Sequence, residues 1–181
     1  MGQLKITFAL ILAILLQWTL RNVAEPLAFI DFPLIIVVYA ALQRDAIKAM
    51  FFGTFAGLAV DALSGGLLGS NAFTKTLVAY IVSELARRVY MDNLLLRIPV
   101  IAGASLLNSL VYYGLHKLLG QEPVGEIVTV TAYSLIGTTI AGTFIYLLLD
   151  FVLADRTHVR KREIFSNRRQ TRRRNPIRFT K

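Results

Sequence analysis

No cysteine occurs in the 181 residues. Disulfides, thiol catalysis and cysteine metal sites are excluded at once, while the redox compartment is left open. Charge is also scarce. Charged residues make up 17% of the chain, against about 25% in a typical soluble domain. Histidine is reduced to His116 and His158. The signatures G-x-x-x-x-G-K-[ST], H-E-x-x-H and G-x-S-x-G do not appear, which removes the usual phosphate-cradle, zinc-protease and serine-nucleophile readings. The glycines at 65, 66 and 69 lack the strand–turn–helix setting of a dinucleotide site. Halves of inverted topology, common in secondary transporters, are not discernible either.

What fills the chain instead is hydrocarbon-compatible sequence. Hydrophobic residues reach 55%, and six stretches approach the roughly 20 apolar residues a membrane helix needs. They run Leu4–Leu20, Leu27–Gln43, Asp45–Leu63, Asn71–Met91, Pro99–Leu119 and Ile127–Ala154. Helices are the workable solution because lipid offers the backbone no hydrogen-bond partner. The expected fold is an all-α integral membrane protein, a bundle of six transmembrane helices with five as the alternative. Leu27–Gln43 is the weakest span, since Asp31 and Pro33 interrupt it. A short helix starting at Pro33, whose ring pre-sets the first turn, is the other reading there. Lys5 ahead of the apolar run Ile6 to Leu16 imitates a secretory signal. Gln17, Trp18 and Arg21 then follow without a small-x-small cleavage site, so an uncleaved helix is expected.

Basic residues set the orientation. With the N-terminus in the cytoplasm, 17 Lys and Arg lie inside and 3 (Arg21, Lys75, Lys117) outside. Both termini are therefore expected on the cytoplasmic side of the membrane. The two histidines then fall in different compartments, which argues against a two-histidine metal site. Asp61, Glu84 and Asp150 lie at different depths and form no acid–base pair. No catalytic residue, cofactor or metal is expected.

Residues 155–181 form a basic cytoplasmic tail after a transmembrane domain of residues 1–154. The tail carries eleven basic residues and two acidic ones, a formal +9. Its run Arg168, Arg169, Arg172, Arg173 and Arg174 has little to bury and is expected to be disordered. Two uses stand side by side. One is attraction to anionic lipid head groups, worth about 1 kcal/mol per basic residue near the surface; the other is a topology anchor. Nucleic-acid binding is disfavoured, because Phe165 and Phe179 are too sparse to make a stacking platform.

Small and polar residues mark the packing faces. Ala49, Gly53 and Gly57 recur every four residues, with Asp61 one turn further. Such a face lets a neighbouring helix approach closely, and an acid on it wants a partner. Lys75 lies about one turn into the next helix at similar depth. Asp61 is expected to pair with Lys75 or to accept hydrogen bonds from the glycine-rich connection that contains Gly65 and Gly69. Glu84 and Arg88 stand in the favourable i,i+4 order. Asn108 is placed near mid-membrane, within a polar stripe of Ser105, Ser109, Tyr112 and His116, and should bond across to another helix. Ser134, Gly137, Thr138, Ala141 and Gly142 form a further close-packing side.

The stretch Gly53-Thr54-Phe55-Ala56-Gly57-Leu58-Ala59-Val60-Asp61-Ala62-Leu63-Ser64-Gly65-Gly66-Leu67-Leu68-Gly69, preceded by Ala41-Leu42-Gln43-Arg44 and followed by Ala79-Tyr80, resembles the bacterial rod shape-determining protein MreD family. That family's pattern, G-x-x-x-G-hydrophobic-x-x-D-x-x-S-G-x-x-x-G, maps onto Gly53, Gly57, Asp61, Ser64, Gly65 and Gly69. The likeness covers about Leu34–Met91; the long arginine-rich tail departs from the short basic ends expected of the family.

The resemblance implies a non-catalytic inner-membrane subunit of the peptidoglycan elongation machinery. It implies association with MreC and, through it, with MreB, the RodA glycosyltransferase and a transpeptidase. It also implies a fold similar to the substrate-binding subunits of energy-coupling-factor transporters. Those dock a partner through an A-x-x-x-A face, a spacing that Ala9 and Ala13 reproduce. The alternative function is a vitamin-type transport subunit with a polar cavity near Asn108, Tyr112, Ser134 and Thr138. A lipid-modifying enzyme is a third class, disfavoured by the missing motifs. Candidate helix-packing or partner-docking residues are Ala49, Gly53, Gly57, Asp61, Gly65, Gly69, Lys75 and Asn108.

Overall fold

A computed structural model describes residues 2–23, 29–89, 94–120 and 127–154. Six α-helices account for nearly all of them: α1 (Gly2–Val23), α2 (Phe32–Ala41), α3 (Ala46–Ser64), α4 (Ser70–Arg88), α5 (Leu94–Leu118) and α6 (Ile127–Ala154). Met1–Tyr146 form one compact unit. Leu147–Lys181 form a second, described only over the last turns of α6. The basic tail and its five arginines from Arg168 to Arg174 lie outside the described residues.

Polarity is arranged inside out relative to a water-soluble protein. Large apolar side chains point outward, among them Leu4 at 79% exposure, Phe8 at 68% and Ile140 at 68%. Inside lie Lys75 at 0% and Asp61 at 2%, with Thr74, Ser83, Ser105 and Thr138 also buried. Hydrocarbon outside and charge inside is the arrangement a bilayer demands. By length and composition, Ala46–Ser64, Leu96–Leu118 and Ile127–Leu149 are able to cross a membrane.

Of the two readings of Leu27–Gln43 the span is corrected and the short helix holds: α2 has 10 residues and begins at Phe32, with Pro33 in its first turn. At 1.5 Å per residue it is about 15 Å long, half a bilayer core. Asp31 caps its start and Pro33 sits in its first turn, where the missing N–H costs nothing. At the other end the chain turns through Arg44, whose φ of 67° is left-handed. All ten residues are buried. A helix apolar on every side belongs at the centre of a bundle, and α2 packs against α1, α3, α4 and α5. The fifth helix also differs from expectation. It starts at Leu94, and Pro99 lies within it as the sixth residue rather than opening it, where its ring removes one intrahelical donor.

α3 and α4 form an antiparallel hairpin whose separation is set by two glycines. A Cβ built on Gly53 would lie 2.7 Å from the Lys75 carbonyl oxygen, and one on Gly57 would overlap the Ala72 backbone and the Asn71 carbonyl oxygen. Ala49 and Ala56 on this interface are fully buried. With the backbones this close, the Thr54 and Thr76 hydroxyls meet at 2.8 Å. α6 runs parallel to α2, in step with it. Gly137 faces Ile30, Thr138 meets Asp31, Gly142 faces Ile35 and Tyr146 stacks on Tyr39. Each advance along α2 is matched by an equal advance along α6.

Gly57→Ala is expected to cost about 1–3 kcal/mol, because two backbones must part to admit the methyl. Gly103→Ala, where nothing lies within 4 Å, should be neutral or stabilising by up to about 1 kcal/mol through helix propensity. Denaturant unfolding in detergent measures both; equal losses would contradict the close approach at Gly57.

Candidate functional site

Two aspartates, Asp61 buried at 2% and Asp31 with 20% of its side chain exposed, organise the interior, each accepting from the start of a helix. The first four N–H groups of any helix lack intrahelical acceptors. In water they are solvated; within a bilayer they need protein partners.

At the start of α4 the partner is Asp61, one turn beyond Gly57 on α3. The N-cap position of α4 is Gly69, which has no side chain to cap with. Asp61 caps from the neighbouring helix instead. Its Oδ2 accepts from the N–H groups of Gly69 at 2.9 Å, Asn71 at 3.1 Å and Ala72 at 3.2 Å. Its Oδ1 accepts from the Asn71 side-chain amide at 2.8 Å. The remaining donors of this turn are served locally, Ser70 N–H by the Leu67 carbonyl and Phe73 N–H by that of Gly69. A carboxylate at this position also meets the positive end of the helix dipole. The connection is short enough because Gly65 ends α3 at φ 65° and Gly69 opens α4 at φ 97°, conformations that favour glycine. Ser64 Oγ donates to the Asp61 carbonyl.

The second aspartate is Asp31, at the start of α2. Its Oδ1 accepts from Leu34 N–H at 3.0 Å and its Oδ2 from the Lys75 ammonium on α4. Asp31's own N–H donates to Thr138 Oγ1 on α6 at 3.2 Å. Phe32 N–H donates to Gln17 Oε1 on α1 at 3.0 Å, and Pro33 has no N–H to satisfy. Four helices thus meet at one polar node. It lies about 20 Å along α4 from the Arg88 end.

The expected Asp61–Lys75 pair is therefore replaced by two separate networks. Lys75 is bound by Asp31, while Asp61 takes the other expected partner, the glycine-rich connection. Asp31, Gln17 and Thr138 were not anticipated as one site. The available signal was an acid followed by proline inside an apolar stretch, facing an equally isolated Lys75 on another helix.

The other candidates are placed as follows. Ala49, Gly53 and Gly57 face α4. Gly65 and Gly69 act through turn geometry, since a Cβ at either would touch nothing. Asn108 does not bond across as expected: its Oδ1 is buried without a partner among the described residues. Thr138 accepts from Asp31 at 3.2 Å, and Tyr112 lies against His116 at 4.1 Å. Of the Ala9 and Ala13 pair, Ala13 is buried inside the bundle with Ile6 and Leu10, and Ala9 is part-exposed. Glu84 pairs with Arg88 within α4 at 3.1 Å, as their order suggested. No group of three or more potential metal ligands occurs among the described residues.

Comparison with known families gives one match. The family model described as rod shape-determining protein MreD covers residues 1–154. No curated protein and no solved structure matches the chain.

Asp61→Ala is expected to cost about 2–4 kcal/mol, because buried N–H groups lose a charged acceptor. Asp61→Asn should fall between, keeping one acceptor oxygen. Combined with Lys75→Gln, the losses should add to within about 0.5 kcal/mol, since the two residues share no partner. A clear departure from additivity in a detergent unfolding cycle would place both in one network.

Proposed function

The chain belongs to the rod shape-determining MreD family, and on that premise we propose that it is a non-catalytic membrane subunit of the machinery that elongates rod-shaped bacteria. In this reading it organises lateral peptidoglycan synthesis by associating with MreC and, directly or through it, with MreB, RodA and a transpeptidase. It sits in the inner membrane with several spans and both termini in the cytoplasm. The 17 to 3 bias of basic residues favours that orientation.

The observation that carries the proposal is how the family's pattern is used. Gly53, Gly57, Asp61, Ser64, Gly65 and Gly69 are all spent on building the α3–α4 hairpin. Asp61 and Asp31 both accept hydrogen bonds from within the bundle. A rigid bundle with an apolar exterior suits a part that holds other membrane helices in place, since such helices associate by packing rather than by burial from water. The transport alternative finds less support. In discontinuous-helix transporters the start of a half-helix receives the substrate's anionic group; here Asp31 occupies that position.

Deleting the gene in its native rod-shaped host should convert rods to spheres, and the intact chain should restore them. An Asp61→Ala chain should restore them poorly, in proportion to its lower abundance in the membrane. Rods that persist without the protein, in a strain with no second copy, would contradict the proposal. Purification with a vitamin-like compound bound would favour the transport reading instead.

A further inference from the structure

One end of the bundle gathers basic side chains that belong neither to the hairpin interface nor to the central node. The contacts that assemble it run continuously. The Arg97 guanidinium lies 4.5 Å above the Tyr146 ring, and that ring stacks on Tyr39 at 5.2 Å. Tyr39 precedes the turn that contains Arg44. The Arg44 carbonyl accepts from Arg87 Nε at 3.2 Å. Lys48 begins the next turn of chain, paired with Asp45 at 2.6 Å. Among the described side chains, five basic residues, Arg44, Lys48, Arg87, Arg88 and Arg97, share this end with Asp45 and Glu84.

The acidic residues are already engaged. Glu84 holds Arg88 at 3.1 Å and Arg87 at 3.8 Å. The hydrogen bond from Lys48 holds the Asp45 carboxyl below the usual carboxylate range, so it stays ionised as the partner of Lys48. Exposure of the cations is high, reaching 76% for the Arg88 side chain. Immediately beside them, the outward residues turn apolar: Ile47 and Phe51 on α3, Leu85 on α4 and Leu96 on α5 are all exposed. A charged rim above a hydrocarbon-facing wall matches a surface with phosphates above acyl chains.

We propose that Arg44, Lys48, Arg87, Arg88 and Arg97 form a binding surface for anionic phospholipid head groups, built into the bundle and separate from the arginine-rich tail. The apolar wall beneath the rim selects a lipid over a free anion or an acidic soluble protein, because only a lipid offers both a phosphate and a tail at that spacing. Arginine is suited to the role, since its planar fork binds two phosphate oxygens at once. The proposal rests on the chain spanning a bilayer and does not depend on the shape-determining role.

The test uses the full chain in nanodiscs of phosphatidylcholine with a rising fraction of phosphatidylglycerol. The readout is the fraction that gives half of the maximal rise in thermal unfolding midpoint. Each charge removed from the rim should weaken the apparent affinity about fivefold. Arg88→Gln alone, at the most exposed side chain, should therefore raise the required fraction about fivefold. Combining it with Arg87→Gln should nearly abolish the response. Replacing Arg168, Arg169, Arg172, Arg173 and Arg174 by Gln should leave the half-point within about twofold.

Any of three results overturns the proposal. The midpoint does not respond to phosphatidylglycerol; the tail variant loses the response while the rim variants keep it; or inorganic phosphate or an acidic soluble peptide reproduces the full rise in phosphatidylcholine alone. The single Arg88→Gln variant removes no buried contact, so the test survives if the double variant fails to fold.

Discussion

Hydrocarbon gives helices no reason to come together by burying apolar surface, because the tails outside are as apolar as the side chains within. It also gives an unpaired N–H nowhere to go. A helix that begins inside the membrane therefore needs its first donors satisfied by another part of the protein. In this chain two helix starts are satisfied in that way, by Asp31 at α2 and by Asp61 at α4. The short helix α2 is the sharper case. It is only about half a bilayer long, yet each donor of its first turn is accounted for. Phe32 uses Gln17, Leu34 uses Asp31, Asp31 itself uses Thr138, and Pro33 has none to offer. Lys75 neutralises the carboxylate so introduced. Satisfying one helix start thus ties α1, α4 and α6 to α2.

The same requirement explains the glycine–aspartate pattern between Gly53 and Gly69. Gly53 and Gly57 bring α4 close to α3. Only at that distance does Asp61 reach across to the start of α4. Gly65 and Gly69 then allow the connection to be short. The features depend on one another: without the close approach the cap cannot reach, and without the cap the start of α4 is left unpaired. Such a unit is a means of holding shape. It turns the Asp61 carboxylate and the first donors of α4 toward each other and leaves the exterior of the bundle apolar.

Much of this was legible in the sequence, for identifiable reasons. Small residues every four positions announce a close helix contact, and Gly53 and Gly57 deliver one. The Gly137 and Gly142 side of α6 likewise meets α2 and α5. Glu84 and Arg88 pair locally because i,i+4 geometry needs no knowledge of the tertiary fold. Four of the helices have ends near those expected; α2 and α5 do not. α2 was left open between a span and a short helix from Pro33, because an apolar stretch reads alike whether it spans or is enclosed. α5 was misjudged at its start because proline signals a helix opening more often than an interior. The Asp31–Lys75 pair was hidden because it joins residues 44 apart on helices that are not sequence neighbours. Asp61 offered Lys75 a nearer and equally charged alternative, and only the positions of the helices decide between them. The Asn108 carbonyl oxygen, buried without a partner among the described residues, has no physical account in this structure.

The account turns on Asp31 and Lys75 acting as one unit, and a double-mutant cycle in a bilayer measures that directly. Asp31→Asn preserves the cap on Leu34 while removing the charge, and Lys75→Gln removes the opposite charge. Each single change should cost about 3 kcal/mol or more, because it strands a buried charge. The double change should cost at least about 1.5 kcal/mol less than their sum. Losses that simply add, to within about 0.5 kcal/mol, would show that the two charges do not hold each other and would contradict the four-helix node.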